Sequence, residues 1–126
     1  MVRERKDIYL IFPYDKDRKV AGVYVGSSKW LRVRINSHKD TYRHRPEDDP
    51  QRELHEMMRE NGFELLKVDT VNEFTKWREY VWIDMFCKYT NLRVFNKFRG
   101  GYGRCAAACV YRKYWGIPFI KSYVEQ

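Results

Sequence analysis

The chain has 126 residues and a formal net charge of +8, from 25 basic and 17 acidic side chains. This length fits one domain of ordinary size and excludes a multi-domain architecture. Hydrophobic residues make up 44% of the sequence, enough to form a core, which excludes a chain that is disordered throughout. The surplus of positive charge suits a polyanionic partner.

The charge is unevenly distributed. Residues 1–96 carry 19 basic and 16 acidic side chains, whereas residues 97–126 carry 6 basic side chains and 1 acidic side chain. No repeat or low-complexity linker separates the two stretches. We therefore expect a folded domain over residues 1–96 and a basic, aromatic extension over residues 97–126 that packs on that domain or continues it.

Neither a membrane span nor a secretory leader is predicted. The longest uncharged apolar stretch, residues 105–111, is far shorter than the roughly 20 residues that a transmembrane helix needs. The three cysteines, Cys87, Cys105 and Cys109, have spacings that favour free thiols over a disulfide framework. We expect an intracellular protein, in the cytoplasm or nucleus of the host cell, that is not secreted.

The first two predicted elements form a β-hairpin. Residues 7–12 and 20–25 are rich in β-forming residues, and a polar turn over residues 15–19 separates them. Tyr9 lies within the first strand and Tyr24 near the end of the second, so the two phenols can lie side by side on one face. The alternative for each is an ordinary place in a half-buried core.

The helix predicted over residues 29–39 carries three side chains that can act together. Trp30, Arg34 and His38 recur at intervals of four and therefore share one face. An arginine and a histidine held just after the strand of Tyr24 can bind a phosphate and supply a proton. The alternative is a solvated basic face.

The remaining elements complete a mixed fold. A short helix is predicted over residues 51–60, a third strand over residues 63–68 and a long helix over residues 72–88. A brief apolar segment at Val94-Phe95 and a further helix near residues 105–114 follow. The order β-β-α-α-β-α predicts an α+β fold with a small three-stranded antiparallel sheet, flanked by helices, and a short C-terminal helical extension. The core stripe expected for the long helix is Phe74, Trp77, Val81 and Met85.

Glu79 is predicted to lie on an apolar face of the long helix. Trp82, Ile83 and Phe86 follow it at spacings of three, four and seven residues. A carboxylate on such a face needs a partner or a metal ion, since burying it unpaired costs several kcal/mol. An ion pair near Arg78 or with a distant lysine is the alternative to a metal.

The segment over residues 24–39, which reads YVGSSKWLRVRINSHK, resembles the core of the GIY-YIG nuclease family. In that family a Tyr-Ile-Gly strand end is followed by a helix with an arginine ten residues after the tyrosine and often a histidine fourteen residues after it. Arg34 and His38 stand at these two offsets. Tyr9, in the sequence DIY, resembles the tyrosine of the first motif.

The resemblance extends over residues 7–96. Residues 59–66 resemble the family's helix-Gly-strand junction, the sequence EYVWI beginning at Glu79 resembles its metal-binding glutamate, and a Phe-Asn pair ending at Asn96 resembles its closing Tyr-Asn, whose asparagine supports the site. There are two departures. Asp7 stands in place of the first glycine, and the two motif tyrosines are further apart than usual, which an insertion in the hairpin turn would absorb.

The resemblance implies an endonuclease that hydrolyses phosphodiester bonds in DNA through a single-metal site. Glu79 would hold one Mg²⁺ or Mn²⁺ per active site, Arg34 would offset charge on the phosphoryl oxygens, and His38 would shuttle a proton or contact the phosphate. One of Tyr9 and Tyr24 would be the general base and the other a positioning group. The implied catalytic set is Tyr9, Tyr24, Arg34, His38, Glu79 and Asn96.

DNA is the expected partner, and RNA is an alternative. Cutting both strands needs two sites, which favours a homodimer, and no membrane partner is expected. Basic residues interleaved with aromatic residues and glycine in the extension suit contacts with phosphates and bases, whereas a packed helix with a solvated basic edge is the alternative. The residues expected to bind nucleic acid are Lys29, Arg32, Lys39, Lys97, Arg99, Arg104, Arg112 and Lys113.

Two other functions fit the same sequence. A non-catalytic nucleic-acid-binding accessory module on this scaffold would work without Glu79. A small basic structural protein of a ribonucleoprotein would bind RNA with no dependence on divalent metal ions.

Overall fold

The computed structural model describes residues 5–44, 49, 51–72 and 75–96, without the side chains of residues 39–44, 88 and 89. The predicted α+β fold is confirmed, with the element order β-β-α-α-β-α. In chain order the elements are β1 (Lys6–Pro13), β2 (Tyr24–Ser28), α1 (Leu31–His44), α2 (Arg52–Asn61), β3 (Phe63–Val71) and α3 (Thr75–Tyr89).

The sheet has the strand order β2-β1-β3, and both pairings are antiparallel. In the β1–β2 register Tyr9 pairs with Gly26, and Ile11 pairs with Tyr24. Residues two apart on a strand share a face, so Tyr9 and Tyr24 lie diagonally across from each other on the same face of the sheet. This confirms the predicted juxtaposition of the two phenols.

The second strand begins later than predicted. Val20 and Val23 make isolated bridges, to Tyr14 and to Val94, instead of pairing as part of β2. The turn before them closes on itself because the Asp15 carboxylate accepts hydrogen bonds from two turn N–H groups. The strand also continues past the predicted end at residue 25 to Ser28.

The central strand β1 is buried on both faces. Ile8, Leu10 and Phe12 pack against α3 in one core cluster, whereas Tyr9 and Ile11 pack against α1 and α2 in a second cluster. A strand buried on both faces is expected to read as a continuous apolar run, and the sequence IYLIF does so. The second cluster places Tyr9 beneath the two helices.

The helices differ from prediction mainly at their ends. Helix α1 begins at Leu31, after Ser28 caps the turn by accepting a hydrogen bond from the N–H of Trp30 at 3.0 Å. It continues past the expected end at residue 39 to His44. In α3 the side chain of Trp77 is 41% exposed and lies by the Arg78 guanidinium, so its place in the predicted core stripe is wrong. The buried residues of α3 include Val81, Trp82, Ile83, Met85 and Phe86.

The segment after α3 returns to the sheet. Val94 is buried and bridges Val23 in parallel, and the backbone N–H of Phe95 donates to the carbonyl of Val23 at 2.9 Å. The brief apolar segment predicted here is therefore part of the core. No helix in the described part of the chain is long and apolar enough to cross a membrane.

Candidate active site

The site is built around the ring of Tyr9, which lies across the backbone of Gly26. A Cβ atom at position 26 would lie 2.3 Å from Cζ and 2.4 Å from Oη of Tyr9. Non-bonded heavy atoms do not approach each other this closely, so the Tyr9 ring can occupy this position only beside a glycine. The glycine of the YVG sequence therefore has a steric role in the site.

Helix α1 carries His38 and Arg34 to the two phenols. The hydroxyl of Tyr9 lies 3.0 Å from Nε2 of His38, and the ring of Tyr24 meets the His38 ring edge-on with 5.4 Å between centroids. Arg34, one helical turn earlier, lies near enough to Tyr9 and Tyr24 to oppose the rise of their pKa values through its charge and hydrogen bonding. The motif spacing thus brings together four of the predicted catalytic side chains.

Burial sets the protonation of this group. It raises the pKa of Tyr9 to about 12, with a further rise from Tyr24, against the opposing hydrogen bond and charge of Arg34. Burial also raises the pKa of Tyr24, and Arg34 again opposes the rise. The pKa of His38 falls to about 4 through burial and the charges of Arg34 and His55. Both phenols are therefore protonated and His38 is neutral at pH 7.

The two tyrosines differ in their access to solvent. The side chain of Tyr9 is fully buried, at 0% exposure, whereas Tyr24 is partly exposed. Arg34 is exposed, and its pKa is raised because hydrogen bonds and charges from the two phenols outweigh the opposing effect of burial. A molecule approaching from solvent therefore meets Arg34 and Tyr24, with Tyr9 and His38 behind them.

Glu79 of α3 approaches from the other face of the sheet, at the edge formed by β2. Its side chain is buried, and Oε2 accepts a hydrogen bond of 2.5 Å from the hydroxyl of Ser27. Ser27 pairs with Ile8 and so shares the face that α3 covers. The negative charge of Glu79 is near enough to raise the pKa values of Tyr9 and Tyr24.

The ion pair of Glu79 is with a lysine close to Arg78 in the sequence and not with Arg78 itself. Lys76, one turn earlier on α3, places Nζ 3.8 Å from Oε2 of Glu79, but its side chain is 79% exposed, so the attraction is weak. Arg78 pairs with Asp69 instead, at 3.7 Å. Among the described residues, both polar contacts of Glu79 fall on Oε2, which leaves Oε1 for a cation.

A single Mg²⁺ or Mn²⁺ fits this donor set. The described residues contain no group of three or more His, Cys, Asp or Glu side chains that could hold a metal by themselves. Mg²⁺ does not require such a group, because it commonly binds through one or two carboxylates and completes its shell with waters and substrate phosphates. Glu79 can provide the one hard oxygen ligand from this chain.

Asn96 acts on the backbone of the site. Its side-chain amide donates to the carbonyl of Val25 at 2.8 Å and accepts from the N–H of Val25 at 2.9 Å. The amide thus serves β2 as a neighbouring strand would, on the edge that pairs with nothing else at this position in the described chain. Asn96 fixes the strand segment that carries Tyr24 and Gly26, which agrees with its expected supporting role.

The residues expected to bind nucleic acid are only partly described. Lys29 and Arg32 are exposed at the start of α1, beside Trp30, whose side chain is 66% exposed. The backbone of Lys39 lies in α1, and its side chain is not described. The other five, with the helix expected near residues 105–114, lie outside the described residues: Lys97, Arg99, Arg104, Arg112 and Lys113.

Two buried residues were not anticipated. Nδ1 of His38 lies 2.7 Å from Nε2 of His55, and Nδ1 of His55 in turn hydrogen-bonds to Oδ2 of Asp49. His55 belongs to the buried face of α2 with Leu54 and Met58. The sequence signal for His55 is a titratable side chain on an apolar helical stripe, because a group buried in that way needs a polar partner. The identity of that partner depends on tertiary packing.

Comparison with known proteins adds no family to this description. No protein-family model, curated protein or solved structure matches the chain. The interpretation of the site therefore depends on its own residues and geometry.

Proposed function

We propose that the chain is a GIY-YIG-type endonuclease that hydrolyses phosphodiester bonds in DNA with one divalent cation per active site. The observation that carries the proposal is the position of Arg34, which is exposed beside two phenols, while the buried carboxylate of Glu79 acts on the pKa values of the same two phenols. An exposed guanidinium is suited to a phosphate, and a shielded carboxylate is suited to a hard cation.

The reaction needs a base for water and neutralisation of phosphate charge. We assign the base to Tyr24, since it is the phenol with access to solvent. In its phenolate form Tyr24 takes a proton from the attacking water, the water oxygen forms a bond to phosphorus, and the bond from phosphorus to the 3′ oxygen breaks. Arg34 favours the phenolate and offsets charge on the phosphoryl oxygens.

The remaining residues hold this arrangement. A cation bound at Glu79 would supply Lewis-acid stabilisation of the phosphate or the leaving oxygen. Tyr9 and His38 lie behind Arg34 and position it, since both ring nitrogens of His38 are engaged within the protein. This arrangement favours positioning by His38 over direct contact with the phosphate.

Cleavage assays test the proposal. Wild-type protein and Glu79→Gln are incubated with supercoiled plasmid, branched DNA and RNA, with and without Mg²⁺ or Mn²⁺. Glu64→Gln is the matched control, because Glu64 also accepts a hydroxyl hydrogen bond, from Tyr14 at 2.9 Å, but on an exposed part of β3. We expect cation-dependent cleavage that falls by on the order of a hundredfold or more in Glu79→Gln and is unchanged in Glu64→Gln.

Each other result has a defined meaning. Undiminished cleavage by Glu79→Gln would exclude Glu79 as the metal ligand. Salt-sensitive binding of nucleic acid without cleavage would favour the accessory module, and tight RNA binding without divalent metal would favour the ribonucleoprotein component. Linear product formed directly from plasmid, together with a dimeric mass in solution, would support a homodimer, whereas nicked product alone would oppose it.

A further inference from the structure

A buried chain of hydrogen bonds leads away from the site. It runs from Tyr9 to His38 at 3.0 Å, from His38 to His55 at 2.7 Å, and from His55 to the carboxylate of Asp49. The exposed fractions of His38, His55 and Asp49 are only 4%, 6% and 7%. These residues come from α1, α2 and the segment before α2, and the proposed reaction uses neither His55 nor Asp49.

Both ends of this chain have a fixed hydrogen-bonding character. At one end Arg34 contacts the Tyr9 oxygen, and a guanidinium can only donate. At the other end Asp49 accepts from Nδ1 of His55 through Oδ2 and from the N–H of Gln51 through Oδ1, at 2.8 Å. An ionised carboxylate can only accept. When both imidazoles are neutral, every hydrogen bond from Tyr9 to Asp49 therefore runs in one direction, toward the carboxylate.

The direction can be followed atom by atom. A phenol has one proton and two lone pairs, and the proton of the buried Tyr9 hydroxyl has an acceptor in Nε2 of His38 when that nitrogen is unprotonated. A neutral His38 then carries its proton on Nδ1 and donates to Nε2 of His55. His55 in turn carries its proton on Nδ1 and donates to Asp49. Starting from Asp49 gives the same two tautomers, so the assignments from the two ends agree.

We propose that Asp49 and His55 are positioning residues that hold His38 in its Nδ1–H tautomer, so that Tyr9 presents its oxygen lone pairs to Arg34. The consequence for catalysis rests on the proposed nuclease function, whereas the tautomers do not. Without Asp49 the chain has no fixed end, and it can reverse. In the reversed chain Nε2–H of His38 donates to Tyr9, and the buried Tyr9 proton loses its acceptor, because the guanidinium of Arg34 can only donate.

A purely structural network would not require this order. Buried polar networks can stabilise a helix contact when all their members are satisfied, and such a network needs only complete pairing, in either direction. This network begins beside a donor-only group that faces solvent, so only one direction gives the Tyr9 proton an acceptor and leaves both oxygen lone pairs for Arg34. A carboxylate that orients a histidine through its Nδ1–H is known to have large effects on catalysis, because the wrong tautomer is inactive.

Nitrogen-15 NMR of the imidazole side chains in the free protein tests the tautomers directly. In the wild type we expect protonated Nδ1 and unprotonated Nε2 for both His38 and His55 at pH 7. In Asp49→Asn, whose side chain can donate or accept, we expect the Nε2–H form of His38 to appear. Asp15→Asn is the matched control, because Asp15 also accepts hydrogen bonds from backbone N–H groups, but these bonds close the hairpin turn and reach no imidazole.

The NMR outcomes decide the proposal without any substrate. Protonated Nε2 on wild-type His38 would overturn it even if Asp49→Asn failed to fold. A folded Asp49→Asn with an unchanged His38 tautomer would also overturn it. Either result would leave the nuclease assays untouched, so the two proposals can fail separately.

Steady-state cleavage kinetics test the consequence of the His38 tautomer for catalysis. In Asp49→Asn we expect kcat to fall by roughly tenfold to a hundredfold, with KM less affected, and no change in Asp15→Asn. If wild type cleaves DNA and Asp49→Asn retains full kcat despite a reversed tautomer, then the positioning role is wrong. If both kcat and the His38 tautomer are unchanged in Asp49→Asn, the unchanged tautomer alone overturns the proposal.

Discussion

Replacement of Gly26 by alanine should destabilise the protein through one identifiable contact. The new Cβ would lie 2.3 Å from Cζ of Tyr9, about 1 Å inside the 3.4–4 Å of ordinary contact. The ring cannot move away freely, because it is fully buried in the cluster with Ile11 and Leu54 and is hydrogen-bonded to His38. Overpacking of this kind costs about 1–3 kcal/mol.

The backbone partly offsets that cost. Replacing glycine by alanine removes conformational entropy from the unfolded chain, which stabilises the folded state by about 0.4–1 kcal/mol where the conformation is compatible. Gly26 lies in β2 without a positive φ, so this gain applies. The net expectation for Gly26→Ala is a loss of about 1–2 kcal/mol in the free energy of unfolding.

A double-mutant cycle assigns the loss to the Tyr9 ring. Urea denaturation is measured for wild type, Gly26→Ala, Tyr9→Leu and the double variant. With leucine at position 9 the clashing ring atoms are gone, so Gly26→Ala should then be neutral or slightly stabilising, and the coupling energy should exceed about 0.5 kcal/mol. Equal losses in both backgrounds would refute the steric role of Gly26. A stable Gly26→Ala in the wild-type background would do so as well.

Three further predictions follow from the site. Tyr24→Phe should lower the cleavage rate by about 10²–10⁴-fold and remove the rise of that rate with pH, which is expected for a base whose pKa is raised. Tyr9→Phe should lower the cleavage rate but keep its rise with pH. The opposite pattern in the rate-against-pH profiles would assign the base to Tyr9. Asn96→Ala should lower the free energy of unfolding by about 1–3 kcal/mol, because it leaves the N–H and the carbonyl of Val25 without their partners. Asn96→Asp should not restore the lost stability, since a carboxylate cannot donate to the carbonyl. Full stability of either variant in urea denaturation would contradict this role of Asn96. The pKa of His38 falls from 6.5 to about 4 on folding, so between these pH values the unfolded chain takes up a proton that the folded chain does not. The free energy of unfolding should therefore fall as pH drops from about 6.5 to 4, and it should fall less steeply in His38→Gln. Parallel curves of stability against pH for the two proteins would contradict the lowered pKa of His38. The titratable groups that face His38 are Tyr9, Tyr24, Arg34, His55 and Asp49.

The parts of the site that sequence could predict are those set by local periodicity. Two-residue alternation along β1 and β2 places Tyr9 and Tyr24 on one face, and the four-residue spacing of Arg34 and His38 places them on successive turns of one helix. Both periods follow from backbone geometry alone. Trp30 was predicted on the same helix, but it precedes α1 and its side chain is exposed.

The parts that sequence could not predict depend on packing between elements. His55 is 17 residues from its partner His38, and nothing in either local pattern specifies the pairing. Trp77 fitted the helical stripe but lies in the first turn of α3, where its ring is by Arg78 and exposed. Periodicity predicts which face of a helix is buried. The neighbouring elements determine how much of the length of that face they cover.

Burial separates the roles of two side chains with the same chemistry. Tyr9 and Tyr24 both contact Arg34 and both lie on one face of the sheet, but only Tyr24 has solvent access. A phenol without access cannot meet an attacking water, whereas it can hold a guanidinium rigidly, because its ring is packed and its proton has a fixed acceptor in His38. Gly26 is the condition for this division, since any larger residue would move the Tyr9 ring. The same displacement would alter the contact with His38 and the contact with Arg34, so a change at a residue with no reactive group should affect both stability and the proposed catalysis.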